Sequence, residues 1–395
     1  MEKGGITYPE GFLAAGMCAG IKKKKEHDLS LLLSSVPCVA AATFTTNRFK
    51  SYSLLWSRKN IKNPIRAVLV NSGNANTCNG QESRRNTDLL MGRLAGLLKA
   101  EKKELLFAST GTIGKKLPFQ VISDALPELM GRLGAANHQE AARGIMTTDL
   151  AMKEFHSGTG IKGRKKEVVM GAMAKGSGMI NPCMATMLAF ITTDAVIGRE
   201  DLQEALSGAV EDSFNMITVD NDMSTNDMVV CLANGQAGNP AIRKGSSDYS
   251  LFASCLKDVC RQLAVKIASD GEGATKLIEV RVKGAWSSGD ARRIARKIAG
   301  SNLFKSAVYG CMANWGRILS SAGSVRARMD TSRTEVSICG IKVFNGNPLD
   351  YNEPELVSLM AGSRIEVCVD VKKGNFEATG WGCDLTEQYV KINKE

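Results

Sequence analysis

The sequence predicts an α+β chain of layered sheets and helices, and three observations carry that prediction. Short apolar runs closed by Gly, Asn or Ser alternate with longer amphipathic segments. The alternation recurs in both halves of the 395 residues, a length suited to two or three packed units. Hydrophobic residues make up 44% and charged residues 23%, so a large core is available and disorder does not dominate.

Each element follows from its local pattern. Pro37 to Phe44, Arg66 to Asn71, Glu104 to Ser109 and Glu167 to Ala172 are short, apolar and bounded by turn residues, as strands are. Ser83 to Lys99 carries Leu89, Leu90, Leu94 and Leu97 at helical spacing, and Phe119 to Leu133 predicts a second helix. In the second half, Thr186 to Thr192 and Met228 to Leu232 predict buried strands, with Glu200 to Val210 helical. Asp248 to Ile267 predicts a long helix through Leu251, Cys255, Val259, Leu263 and Ile267. Leu277 to Val282 and Arg364 to Val371 alternate as strands do, and Ala291 to Ile298 predicts a short helix. Mixed elements in both halves give a layered architecture, with the strand order left open.

Composition excludes several classes of function. No apolar run approaches the ~20 residues that span a bilayer. The opening Met-Glu-Lys-Gly-Gly-Ile-Thr lacks the apolar segment of a signal peptide, so a cytoplasmic protein without a membrane partner is expected. The formal charge is +11, but the basic residues are spread along the chain. Lys22 to Lys25 and Arg164-Lys165-Lys166 lack interleaved aromatics and are expected to be solvated loops, so nucleic acid is not the expected partner. The 11 cysteines include no CxxC, so neither a zinc site nor a disulfide framework is expected, and most should be small buried apolar residues. Both common nucleotide-binding glycine fingerprints are absent, and no metal or cofactor is called for.

Three histidines, His27, His138 and His156, lie in polar stretches and are expected to be exposed. A Ser-His-Asp or Cys-His site is therefore disfavoured, and an acyl-transfer enzyme would need another base. The informative stretch runs from Lys175 to Leu188: a Gly-rich approach, small residues, Thr186, then an apolar strand. An N-terminal threonine supplies nucleophile and base together, because its hydroxyl attacks while its own α-amino group takes the proton. That amine has a pKa near 8, close to working pH. The chain must first be cut before such a threonine. By composition and spacing alone, Thr186 fits better as a β-branched residue in a buried strand.

Ordered motifs add to this. They begin with Gly4-Gly5-Ile6-Thr7, Phe44-Thr45-Thr46-Asn47 and Val70-Asn71-Ser72-Gly73-Asn74-Ala75-Asn76. Ala108-Ser109-Thr110-Gly111-Thr112-Ile113-Gly114, Thr147-Thr148-Asp149 and the Lys175 to Leu188 stretch follow. Further on come Ser224-Thr225-Asn226-Asp227, Glu272-Gly273-Ala274-Thr275-Lys276, Asn314-Trp315-Gly316-Arg317 and Trp381-Gly382-Cys383-Asp384-Leu385-Thr386. Along essentially its whole length the sequence resembles the ornithine acetyltransferase (glutamate N-acetyltransferase) family of arginine biosynthesis.

The resemblance implies the layered α/β sandwich of that family and self-cleavage between Ala185 and Thr186. Residues 1–185 would become an α chain and residues 186–395 a β chain, assembling as an α2β2 heterotetramer. Thr186 would carry acetyl from N-acetylornithine to glutamate by a ping-pong route, with Thr110 and Gly111 as the oxyanion hole. Thr147, Lys175, Thr186, Glu272 and Asn393 would bind substrate. Acetyl-CoA as a second donor is left open, since monofunctional and bifunctional members look alike in these motifs. An amidase or aminopeptidase passing the acyl group to water is the alternative. The family's pattern continues to a further Ser or Thr ligand, whereas this chain ends at Asn393-Lys394-Glu395 and that ligand is not carried over. Asn221, Met223 and Met312 also depart from the family's usual residues, outside the carried-over set.

Overall fold

The computed structural model describes residues 4–162, 167–181 and 187–394. These divide into two compact units. The first takes its residues from 4–176, 183–211 and 223–263, and the second from 177–182, 212–222 and 264–394.

The first unit is built on an eight-stranded sheet of described residues. Its strands are β1 (Phe12–Met17), β2 (Leu29–Phe44), β3 (Ile65–Asn74), β4 (Leu105–Thr112), β5 (Lys153–Thr159), β6 (Val168–Lys175), β7 (Leu188–Thr193) and β8 (Met228–Ala233). The order is β4-β3-β2-β8-β7-β6-β5, with β1 paired antiparallel to the first part of β2. The helices of this unit are α1 (Tyr52–Asn60), α2 (Gly80–Leu98), α3 (Phe119–Gly131), α4 (His138–Ile145), α5 (Arg199–Glu211) and most of α6 (Ser247–Ser269).

The sheet is covered on both faces where its strands carry apolar residues at successive positions, because successive side chains point to opposite sides. Leu29, Leu31, Ala67, Leu69, Leu105 and Phe107 pack with Leu90, Leu94, Ile122 and Leu126 of α2 and α3. Their neighbours Leu32, Val68, Val70, Leu106 and Ala108 face the other way, with Leu54 of α1 and Ala141, Ala142 and Ile145 of α4. Leu188, Phe190, Met228 and Val230 extend this second cluster into β7 and β8.

The second unit has a five-stranded sheet in the order β11-β10-β12-β9-β13. Its strands are β9 (Leu277–Ala285), β10 (Glu335–Ile338), β11 (Ile341–Asn345), β12 (Arg364–Asp370) and β13 (Phe376–Cys383). Its helices are α7 (Ser288–Ala299), α8 (Asn302–Tyr309), α9 (Trp315–Gly323), α10 (Glu353–Met360) and α11 (Glu387–Asn393). Helix α7 buries Ala291, Ile294, Ala295 and Ile298 at i, i+3, i+4 and i+7, the stripe a sheet-covering helix needs. No helix among the described residues is long and apolar enough to cross a membrane.

The α+β layered prediction holds, and each strand and helix expected from the sequence is present, with shifted ends. The largest shift is in β2, which begins at Leu29 and not at Pro37. Its register slips between Leu33 and Cys38 as it changes partners from β1 and β3 to β8. Pro37 has no N–H for a regular ladder, so a slip of this kind is where a strand tolerates it. Strand β7 begins at Leu188, and the Thr186 end of the expected strand lies outside the described residues.

Three surface expectations are corrected. His27 and His138 are half-buried, not exposed, each against a carboxylate: Glu140 at 2.6 Å and Glu154 at 2.8 Å. Only four of the ten described cysteines, Cys38, Cys231, Cys260 and Cys383, are fully buried, because the others sit on half-covered faces or in turns. Lys22 leaves its exposed neighbours and turns inward, donating to the carbonyls of His27 and Met146 at 2.8 Å each. The run Arg164-Lys165-Lys166 lies outside the described residues.

Candidate active site

Thr110 and Gly111 end β4, where the parallel ladder to β3 slips at Gly73 and Asn74. Thr110 is buried and Gly111 exposed, so the strand delivers this dipeptide from core to surface. Gly111 has φ +130°, a region that L side chains rarely adopt. A Cβ there would lie 2.4 Å from the Gly73 carbonyl carbon and 2.6 Å from the Asn74 nitrogen. Both backbone conformation and backbone proximity therefore demand glycine.

The segment holding this strand end is Ser224-Thr225-Asn226-Asp227. The Asn226 amide donates to the carbonyls of Ser109 and Ala75, at 2.7 Å each. Its oxygen accepts from the Thr77 hydroxyl at 3.0 Å, and Ser109 Oγ donates to Asn71 at 2.6 Å. The residue before Thr110 is thus clamped by Asn226 and Asn71, both buried.

Lys175 ends β6 with its side chain 2% exposed, its Nζ 3.9 Å from Asp149 Oδ2. Asp149 Oδ1 accepts from Lys153 Nζ and from the Gly176 N–H, both at 2.7 Å, while Oδ2 accepts from the Thr147 N–H at 2.9 Å. Burial pushes the Asp149 carboxyl up. The Lys175 and Lys153 ammonium groups, with the hydrogen bonds from Lys153 and Thr147, overcome this and hold it well below the usual carboxylate range. Thr147 and Lys175, distant in sequence, are therefore organised by one buried carboxylate. Thr147 itself is half-buried and its neighbour Thr148 exposed. Lys22 belongs to the same electrostatic neighbourhood: burial lowers its pKa, opposed by Glu26, Asp28 and Asp149, and Lys175 lowers it further.

In the second unit, Glu272 is half-buried and meets Asn393, whose Nδ2 donates to Oε2 at 2.7 Å. The Glu272 N–H donates to the Ser177 carbonyl at 3.0 Å. Gly178 makes room for this carboxylate, because a Cβ there would sit 2.4 Å from Glu272 Cδ. The segment leading on from it is gripped by Asp220, which accepts from the Met179 and Ile180 N–H groups. Burial raises the Asp220 carboxyl in spite of N–H donation from Asp222, Met179 and Ile180. Tyr389 is raised by burial and by the carboxylates of Asp220 and Glu272.

Of the residues expected from the sequence, Thr110 and Gly111 share one strand end, Thr147 and Lys175 share Asp149, and Glu272 meets Asn393. Ala185 and Thr186 lie outside the described residues. The organising groups Asp149, Lys153, Asn226 and Asp220 had no role assigned from sequence. A signal was present for Asp149 and Asn226, which stand in the quoted motifs, but nothing in a linear pattern tells a ligand from the group that holds it.

The sequence profile of the ArgJ family matches residues 13–395. This chain belongs to the ArgJ family. It is 47% identical to the arginine biosynthesis bifunctional protein ArgJ of Symbiobacterium thermophilum, over 99% of this chain and 98% of that one. It is 43% identical to the ArgJ protein of Listeria monocytogenes, over 99% and 98% of the two chains. The crystal structure of the arginine biosynthesis bifunctional protein ArgJ from Bacillus halodurans is 42% identical, with a TM-score of 0.51. It covers 52% of this chain and 97% of its own. ArgJ membership bears out the enzyme class that the ordered motifs implied, an acetyltransferase of arginine biosynthesis.

Proposed function

We propose that this ArgJ protein cuts itself between Ala185 and Thr186 and then moves acetyl from N-acetylornithine to glutamate through an acetyl-Thr186 ester. The observation that carries this reading is the connected buried frame of the first unit. Asp149 ties Thr147 to Lys175, and Asn226 fixes the strand end that bears Thr110 and Gly111. The half-length Bacillus halodurans chain, covering 52% of this one, is the size expected of a chain left by cleavage near the middle.

In the cleavage step, the Thr186 hydroxyl attacks the Ala185 carbonyl carbon and the acyl group passes from nitrogen to oxygen. That shift breaks the C–N bond and frees the Thr186 amine, and water then hydrolyses the ester to release the Ala185 carboxylate and the Thr186 hydroxyl. That amine, with a pKa near 8, serves as base for the second reaction. Thr186 attacks the acetyl carbonyl of N-acetylornithine, ornithine leaves, and the glutamate amine collects the acetyl group. Thr110 Oγ and the Gly111 N–H stabilise the tetrahedral oxygen in each half-reaction. Lys175 suits a substrate carboxylate and Glu272, positioned by Asn393, an α-ammonium group. Residues 1–185 and 186–395 assemble as α2β2 in the cytoplasm. Acetyl-CoA is a candidate second donor, in keeping with the word bifunctional in the relatives' names.

The decisive assay follows N-acetylornithine consumption with and without glutamate. Transfer predicts turnover that depends on glutamate. An equal rate without it would assign the acyl group to water, as in the amidase alternative. Replacing glutamate plus N-acetylornithine by glutamate plus acetyl-CoA tests the second donor.

Gly111→Ala is expected to shift the end of β4 and misplace the oxyanion donor. The loss should be roughly 10²–10³-fold in kcat, the usual effect of one such donor. KM should change less. Steady-state kinetics beside a thermal melt checks this, because a folded variant with normal kcat would remove Gly111 from the oxyanion hole.

A further inference from the structure

Strand β8 is preceded by a motif residue to which nothing above gives a role. Asp227 is 0% exposed, on the boundary between the polar segment that holds Ser109 and the apolar strand beginning at Met228. Its Oδ1 accepts the Met187 N–H at 2.9 Å. Its Oδ2 is also buried. Its own carbonyl accepts the Thr45 N–H at 3.0 Å, so its backbone is fixed as well. The Met187 nitrogen belongs to the peptide bond between residues 186 and 187. The side chain therefore holds one atom of the linkage that follows the proposed nucleophile. Asn226, one residue earlier, holds the Ser109 carbonyl next to Thr110.

We infer that Asp227 is a positioning residue for self-cleavage and acetyl transfer, whose Oδ1 anchors the Met187 amide. Together with Asn226, it makes residues 226 and 227 a jig that sets the first residues of β7 against the end of β4. This inference rests on the proposed cleavage before Thr186.

Charge and burial favour the neutral form. A fully buried carboxylate is costly to keep charged, and such a group takes up a proton instead. Burial pushes the Asp227 carboxyl well above the ordinary range, against the opposing effects of the Met187 N–H, the Lys175 ammonium and the Ser224 and Thr45 hydroxyls. Asp149, in the same unit, has two lysines and two N–H donors and is held in the opposite direction. Two buried aspartates near one lysine are thus shifted in opposite directions. Only the acceptor oxygen of Asp227 is needed for anchoring, which an asparagine also supplies.

The test compares Asp227→Asn, Asp227→Ala and Asp227→Leu in full-length precursor made by cell-free translation. The fraction cleaved is followed over time on denaturing gels. Asp227→Asn should cleave within about threefold of the wild-type rate, and Asp227→Ala at least tenfold slower. Asp227→Leu fills the volume without a polar atom, so it stays informative if the alanine variant does not fold, and it should be equally slow. Any mature enzyme formed by the slow variants should show reduced kcat with KM nearly unchanged. Wild-type cleavage by a folded Asp227→Ala or Asp227→Leu chain would overturn the anchoring role. An Asp227→Asn chain as slow as Asp227→Leu would overturn the neutral form. Thr186→Ala, run alongside, separates the two levels: if it still cleaves, the proposed cleavage itself fails.

Discussion

Replacing Thr186 by alanine should leave one uncut chain on a denaturing gel and abolish acetyl transfer. The expected fall in kcat is on the order of 10⁴-fold or more, as for removal of the nucleophile from other acyl-transfer enzymes. Two separate losses combine. Without the hydroxyl there is no N-to-O shift, so the α-amino group that would act as base is never freed. Without the hydroxyl there is also nothing to accept acetyl. Thr186→Ser separates these effects, because it keeps an Oγ and should cleave and turn over at reduced rates. Mass spectrometry of the wild-type products should place the cut after Ala185. An intact Thr186→Ala chain that still transfers acetyl would remove Thr186 from the mechanism.

The second large effect is on stability. Asp149→Asn keeps the shape and one acceptor oxygen but leaves Lys153 and Lys175, each with 2% side-chain exposure, without this carboxylate. Removing one partner from a buried ion pair typically costs about 3–5 kcal/mol, since the remaining charge is left poorly compensated. Melting of the variant at neutral pH should fall accordingly. The pH dependence has a definite sign. The folded Asp149 carboxyl lies below its unfolded value of about 3.9, so its contribution is complete above that pH. It is lost as pH falls from there toward the depressed folded value. Wild type should therefore lose its advantage over Asp149→Asn on acidification below about pH 4. An advantage that grows in acid would contradict this assignment. Thr147 and Lys175 share the same anchor, so activity should drop as well, at temperatures where the variant is still folded.

Most elements were legible in the sequence because burial on both faces makes strands such as Val168–Lys175 and Met228–Ala233 continuous apolar runs. The amphipathic helices were legible for the complementary reason, a 3.6-residue stripe. Short, half-polar elements escaped, among them α4, β5 and α11, because their register depends on neighbours and not on local periodicity. Lys22 shows the same limit at the level of one side chain. A run of four basic residues reads as a solvated loop, yet its first member is drawn inward by the carbonyls of His27 and Met146.

By itself the sequence determined the fold class, the enzyme family and the residues expected to carry the chemistry, because those depend on apolar patterning and on ordered motifs. The tertiary structure decided which groups hold that chemistry in place. Asp149 and Asp227 are the same residue type, each at the end of a short polar segment. The carboxyl of the first is held down by two lysines and two N–H donors, and that of the second is pushed up by burial. Nothing local distinguishes them, since a carboxyl's charge is set by the dielectric and the partners that folding brings to it from elsewhere in the chain.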